Sequence, residues 1–171
     1  MKRAKGRETD SVLAQTADIP LAVLSDDQLI QLRAAVEAEM KMRGLEYDVG
    51  RFGEQLAISF FNGTPACPNL LLAPTGTKNV DALSRDGERY SIKTICRGRK
   101  TGTIYPDVEN PDKQLFENLL IVKLNDKWDL EQIFQLEWRQ FLTVRAWDKR
   151  MNAWYVPYTS RVAILAKKFI S

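Results

Sequence analysis

The hydrophobic periodicity of this chain changes at Pro68, and this change constrains the fold more than any other feature of the sequence. Before Pro68, apolar residues recur at intervals of three and four, which is the spacing of one helix face. After it, they fall in short runs separated by turn residues, as in β-strands. Helices followed by strands indicate a mixed α/β (α+β) sandwich and not a repetitive βαβ series.

Two amphipathic helices are predicted in the first part of the chain. Ser25 and Gln28 have the spacing of a capping box, and the apolar repeat that follows stops at Gly44, so we predict a helix over 26–43. A second apolar repeat that stops at an Asn-Gly pair predicts a helix over 47–62.

The second part of the chain predicts a sheet and a final helix. The Asp86-Gly87 pair lies between two strand-like runs, which is a strong hairpin signal. The predicted strands are 70–72, 79–84, 89–95, 119–124 and 131–136, and the predicted helix is 161–170.

Composition limits the domain count and the chemistry. The length of 171 residues suits one domain, which we place at 19–171 behind a loosely ordered basic arm at 1–18. The chain has no histidine, which removes the usual general base and the commonest zinc ligand. Cys67 and Cys96 form neither a four-thiolate zinc site nor a disulfide framework. No apolar run is long enough to span a membrane and no secretory signal is present, so we expect a cytoplasmic protein.

One group of residues carries the candidate chemistry. Asp81 lies on one arm of the predicted hairpin, and Lys93 lies on the other arm, two positions after Ser91. Glu54 lies at the edge of the apolar arc of the second helix. A carboxylate that points partly inward is costly unless it is paired or bound to a metal. An ion pair with Arg51 or Arg89 is the alternative use of Glu54.

This arrangement resembles the PD-(D/E)XK nuclease superfamily over roughly residues 46 to 96. The resemblance implies a restriction-endonuclease-like mixed β-sheet flanked by helices. It implies that Asp81 and Glu54 hold Mg²⁺, which Mn²⁺ can replace, and that Lys93 acts on the attacking water. Ser91 would be a supporting residue or a water ligand, and the product would carry a 5′-phosphate.

The sequence departs from the family pattern at two positions. Ser91 stands where the family usually has Asp or Glu, and Val80 stands where it often has Pro. Serine occurs at this place in a subgroup of restriction endonucleases, in which another part of the fold supplies the carboxylate. Glu54 is the first candidate for that role, and Glu109 and Glu117 are weaker candidates.

Hairpin geometry provides a test of this site. A strict two-residue Asp86-Gly87 loop would place Asp81 opposite Ile92, on the wrong face for Lys93. We therefore predict a three-residue loop or a bulge near Asp81, which would pair Asp81 directly with Lys93.

Basic residues around the hairpin are candidate DNA contacts, although a solvated basic loop is nearly as common. We assign this role to Arg51, Arg89, Arg97, Arg99 and Lys100. The region 138–161 mixes aromatic and basic residues, which suits a nucleic-acid surface, a partner interface or core packing. A homodimer through the first helix is a further expectation.

The sequence as a whole indicates a Mg²⁺-dependent DNA endonuclease of the type II restriction kind acting on double-stranded DNA. One alternative is a non-catalytic DNA-binding or interaction domain on the same fold, with Ser91 marking a decayed site. A second is a structure-specific repair nuclease. A third alternative is a scaffold protein with an ordinary surface hairpin, in which Asp81 and Lys93 would lie far apart.

Overall fold

The predicted succession of helices and strands around Pro68 is confirmed in the computed structural model, which describes residues 20–45, 48–111 and 113–169. The chain divides into two compact units, Met1–Tyr47 and Asp48–Ser171. The predicted basic arm at 1–18 lies outside the described residues, and the single domain over 19–171 stays a prediction. No helix of the described residues is long and apolar enough to cross a membrane.

The first unit contains a short 3₁₀ helix, Leu21–Val23, and helix α1, Asp26–Met42. The predicted capping box is present, because Ser25 Oγ accepts the Gln28 N–H and the Gln28 side chain accepts the Ser25 N–H. Within the described range 20–45, no residue of α1 is buried.

The second unit contains a six-stranded sheet and a separate two-stranded ribbon. Its elements are, in chain order, α2 (Val49–Gly63), β1 (Leu70–Leu72), β2 (Ala82–Ser84), β3 (Arg89–Ile95), β4 (Asn118–Leu124), β5 (Leu130–Glu137), α3 (Trp138–Val144), β6 (Ala146–Asp148), β7 (Ala153–Tyr155), α4 (Ser160–Leu165) and β8 (Lys167–Phe169). The strand order is β1-β2-β3-β4-β5-β8, and β6 pairs with β7. Strands β3 and β4 are parallel, whereas the other four pairs of the sheet are antiparallel.

The sheet separates two hydrophobic cores. On one face, Val122 of β4 belongs to a cluster with Phe61 of α2. On the other, Ile121 of β4 belongs to a cluster with Phe141 of α3 and Val162 of α4. A strand buried on both faces needs a nearly continuous apolar sequence, and β4 has one.

The C-terminal prediction is wrong beyond Leu165. The helix predicted over 161–170 ends there, and β8 follows as an antiparallel partner of β5. The Gln132 side chain donates to the Phe169 carbonyl, and the Phe169 ring lies 5.1 Å from that of Phe61. This strand covers an edge of β5 that would otherwise expose unpaired backbone groups.

The patterns predict no regular element between 138 and 159, where the structure forms α3, β6 and β7. These elements are short, at seven, three and three residues. Periodicity needs longer windows to distinguish a helix from a strand.

Candidate active site

The turn between β2 and β3 sets the geometry of the site. The Ser84 N–H donates to the Glu88 carbonyl at 3.0 Å, and the Gly87 N–H donates to the Ser84 carbonyl at 3.1 Å. These bonds enclose three residues, 85–87, and Gly87 has a φ of +84°, which glycine adopts without strain. The predicted three-residue loop is therefore confirmed.

The predicted direct pairing of Asp81 with Lys93 is wrong. Ala82 pairs with Tyr90, and the Asp81 N–H also donates to the Tyr90 carbonyl at 2.8 Å, so the backbone of Asp81 lies against Tyr90 and not against Lys93. The difference arises because Ser84 and Glu88 close the loop, one residue earlier than the predicted pairing needs. Lys93 lies two residues beyond Ser91 and so on the same face of β3, which keeps it within reach of Asp81.

One oxygen of Asp81 collects three donors from β3. Oδ2 accepts the backbone N–H of Ile92 at 2.6 Å, the Ser91 hydroxyl at 3.2 Å and the Lys93 ammonium at 3.2 Å. Among the described residues, no donor reaches Oδ1. The carboxylate is therefore fixed in orientation by one oxygen, while the other remains available to a ligand.

The Glu54 carboxylate lies within electrostatic reach of this pair. Its side chain is half-buried on α2, as its position at the edge of the apolar arc predicts. Burial raises the pKa of Glu54, the charge of Asp81 raises it further, and Lys93 acts in the opposite direction. Glu54 makes no hydrogen bond or ion pair with any described residue, and Arg89, one predicted partner, binds Glu117 instead.

Helix α2 reaches β3 because Gly53 has no side chain. A Cβ at Gly53 would overlap the hydroxyl oxygen of Thr94 on β3. The Thr94 hydroxyl also donates to the Gly50 carbonyl at 3.4 Å. This close approach positions the next residue, Glu54, toward the end of β3 that carries Lys93. Sequence reasoning missed the role of Gly53, although a glycine inside a helical pattern is a signal of close packing.

Two carboxylates of the site are candidate metal ligands. Among the described residues, no group of three or more His, Cys, Asp or Glu side chains could hold a metal. Mg²⁺ needs fewer protein ligands, because it commonly binds one or two carboxylates together with water and phosphate oxygens. Asp81 Oδ1 and the Glu54 carboxylate are the two candidates, and a bound cation would oppose both the burial and the charge of Asp81, which together raise the pKa of Glu54.

Ser91 and the two weaker acidic candidates make other contacts, which are not those of a metal ligand. Ser91 is fully buried, and its hydroxyl binds Asp81, so it supports the site from inside the protein. Glu117 binds Arg89, with Oε1 2.7 Å from the guanidinium. Glu109 is exposed, and its N–H donates to Asp107.

The predicted DNA contacts are distributed over α2, the start of β3 and the loop after β3. Arg51 is exposed on α2, and Arg99 is exposed on the loop. Arg97 lies 3.7 Å from Asp126, and Lys100 lies 3.2 Å from Asp148, both at exposed positions. Their role in DNA binding stays a prediction, as does that of Arg89.

No protein-family model matches this chain, and no curated protein sequence matches it significantly. The feature that bears on function is therefore a pair of carboxylates, one of them partly buried, beside a lysine.

Proposed function

We propose that this protein is a Mg²⁺-dependent DNA endonuclease with a restriction-endonuclease-like core, acting on double-stranded DNA. The observation that supports it most is the Asp81 carboxylate, held through Oδ2 by Lys93 and the adjacent strand while Oδ1 stays open beside Glu54. Because no donor of the described residues reaches Oδ1, that oxygen is a position at which a metal could bind.

Each side chain has a distinct role in this proposal. Asp81 Oδ1 and Glu54 would hold Mg²⁺, which when bound polarises the scissile phosphate and lowers the pKa of a bound water. Lys93 donates from Nζ to the attacking water or to a phosphate oxygen. There its positive charge stabilises the negative charge that develops in the transition state. Ser91 and the Ile92 N–H keep the Asp81 carboxylate in one orientation.

The Lys93 ammonium is well placed for this work. It is about one-fifth exposed, so its charge acts in a medium that screens it less than bulk water does. Its contact with Asp81 is a single 3.2 Å hydrogen bond, which leaves further donor positions on the ammonium. The chemistry needs no histidine, in agreement with the composition.

A non-catalytic DNA-binding domain on the same fold is the competing function, and Ser91 is the observation that favours it. In the family that the sequence resembles, an acidic residue usually stands there. A decayed site would keep Asp81 and Lys93 as a structural pair and would bind no Mg²⁺. The two functions therefore differ in metal binding as well as in cleavage.

The decisive experiment is cleavage of supercoiled plasmid by the full chain in Mg²⁺, Mn²⁺ or EDTA. We expect cleavage that depends on the metal, and a loss of about 10²- to 10⁴-fold in Lys93→Met. Lys168→Met is the matched control, because Lys168 is an exposed strand lysine on β8. Equal cleavage by both variants, or none by the folded wild type in either metal, would refute the proposal.

A further inference from the structure

We propose that the β6–β7 ribbon is a recognition element that enters the major groove of duplex DNA and contacts base edges through Arg150 and Asn152. This inference rests on the proposed function for its ligand, but its test measures binding and not cleavage. A two-stranded antiparallel ribbon has the dimensions that the major groove admits.

The charge of this region differs from that of the rest of the chain. The ribbon segment 145–158 and the adjoining loop 97–105 together contain six Lys or Arg residues and one Asp, a net charge of +5. The whole chain carries only +3, so the remainder is slightly acidic. Arg97 pairs with Asp126, which lies outside these segments, and the basic excess that remains matches the phosphate backbone of a nucleic acid.

The tip of the ribbon is held in one conformation and remains exposed. Asp148 Oδ1 accepts the backbone N–H groups of Arg150 and Met151, both at 3.1 Å. Asp148 Oδ2 accepts the Lys100 ammonium, and Asn152 completes the turn with a φ of +49°. Lys149 and Arg150 are exposed there, so the side chains that would meet DNA are presented on a fixed backbone.

The base of the ribbon is packed into the core. Ala153 is fully buried in β7, and Trp154 lies 4.5 Å from Trp147 between ring centroids. The Arg145 guanidinium lies 3.8 Å above the Trp154 ring. A rigid base directs the tip, whereas a mobile loop would lose affinity through ordering.

Backbone contacts connect the ribbon to the candidate active site. Ile104 and Trp154 exchange two backbone hydrogen bonds at 2.7 and 2.9 Å. The next residue, Tyr105, accepts from the Asn79 side chain at 2.9 Å, and Asn79 precedes Asp81 by two positions. These contacts link the base of the ribbon to the segment that carries Asp81.

The test uses the full chain with Lys93→Met, so that DNA is bound without being cut. Affinity for a labelled duplex library is measured in EDTA at several salt concentrations. We expect Arg150→Gln to weaken binding to the preferred duplexes roughly 10- to 100-fold and to reduce sequence preference. Lys149→Ala should weaken binding to all duplexes alike. It should also reduce the slope of log binding constant against log salt concentration by about one. Lys168→Ala, on β8, should have neither effect.

The outcomes separate this inference from the nuclease proposal. Duplex binding that Arg150→Gln weakens, in a wild type that does not cut, would refute the nuclease and retain the ribbon assignment. Cleavage by the wild type together with unchanged duplex affinity and preference in Arg150→Gln would refute the ribbon assignment alone. Tighter binding of single-stranded RNA or DNA than of duplex would also refute it.

Discussion

Strand β3 has a charge cluster near each end, and the two clusters differ in how completely they are satisfied. At its start, both oxygens of Glu117 bind Arg89, through the guanidinium at 2.7 and 3.0 Å and the backbone N–H at 2.6 Å. Near its end, Asp81 uses one oxygen, and Glu54 makes no hydrogen bond within the described residues. The pKa of Glu117 is lowered by Arg89, whereas that of Glu54 is raised by burial and by Asp81.

The contrast separates a stabilising pair from a candidate site built of similar residues. A carboxylate whose pKa is lowered by folding stabilises the folded protein when it is ionised. A carboxylate whose pKa is raised by folding destabilises the folded protein when it ionises. A partly buried carboxylate that weakens its own fold, beside a second carboxylate and a lysine, marks a functional site more strongly than either residue type does.

Among the variants that test this contrast, Glu54→Gln should have the largest effect and should change activity and stability in opposite directions. Cleavage should fall by about 100-fold or more, because one of two metal ligands is lost. Urea unfolding at pH 8 should show a variant more stable than the wild type, since it removes the cost of ionising Glu54.

The stability difference between Glu54→Gln and the wild type should depend on pH, and the raised pKa of Glu54 fixes the direction of that dependence. A raised native pKa means that the cost is absent well below the ordinary value of 4.5 and complete above the native pKa. The stability advantage of Glu54→Gln should therefore shrink as the pH falls toward 4.5. A variant less stable than the wild type at pH 8 would instead place Glu54 in a stabilising pair.

Gly53→Ala should have the second-largest effect, because it forces α2 away from Thr94 and moves Glu54 with it. Overpacking of this kind costs about 1–3 kcal/mol of unfolding free energy, and cleavage should fall as well. Gly63→Ala at the end of the same helix is the control, since no atom lies within 4 Å of its added Cβ. Equal stability of the two variants by urea unfolding would contradict the close approach.

Glu117→Gln tests the satisfied cluster and should affect stability without affecting cleavage. The pair is about one-third exposed, so we expect a loss of about 1 kcal/mol at pH 7. The lowered pKa of Glu117 means that its contribution is complete above the unfolded value and is lost as the pH falls through the native value. Thermal unfolding at pH 7 and pH 3 would measure this, and a large loss of cleavage in the folded variant would return Glu117 to the candidate ligands.

Ser91→Ala should have the smallest effect. It removes one of three donors to Asp81 Oδ2 and leaves the shortest of the three contacts, the Ile92 N–H at 2.6 Å. We expect cleavage to fall only a few-fold, because Ile92 and Lys93 still hold the carboxylate. A complete loss in single-turnover assays would show that the Ser91 hydroxyl acts in the reaction itself.

Local signals predict much of this structure. The Ser25 capping box, the hairpin turn at Gly87 and the half-buried position of Glu54 each depend on residues close in sequence. The apolar runs also predict β4 and β5 to within one residue.

The features that sequence reasoning missed depend on distant contacts. Strand β8 forms because β5 has an edge to cover, and the Leu165 to Phe169 pattern alone fits a helix equally well. The partner of Asp81 depends on which residues close the turn, and a shift of one residue changes it. The approach of Gly53 to Thr94 joins positions 41 residues apart, which no local window contains.

The parallel pairing of β3 and β4 has an evolutionary consequence. Parallel neighbours require the chain to return from one end of the sheet to the other, and here the return occupies residues 96–117. This connection begins three residues after Lys93 and ends at Glu117, and it includes the basic loop 97–105. Thr101, Ile104 and Phe116 of this connection are buried, but its exposed stretches accept substitutions and insertions that strands do not. Related chains could therefore diversify what they bind through this one segment while leaving the Asp81–Lys93 geometry intact.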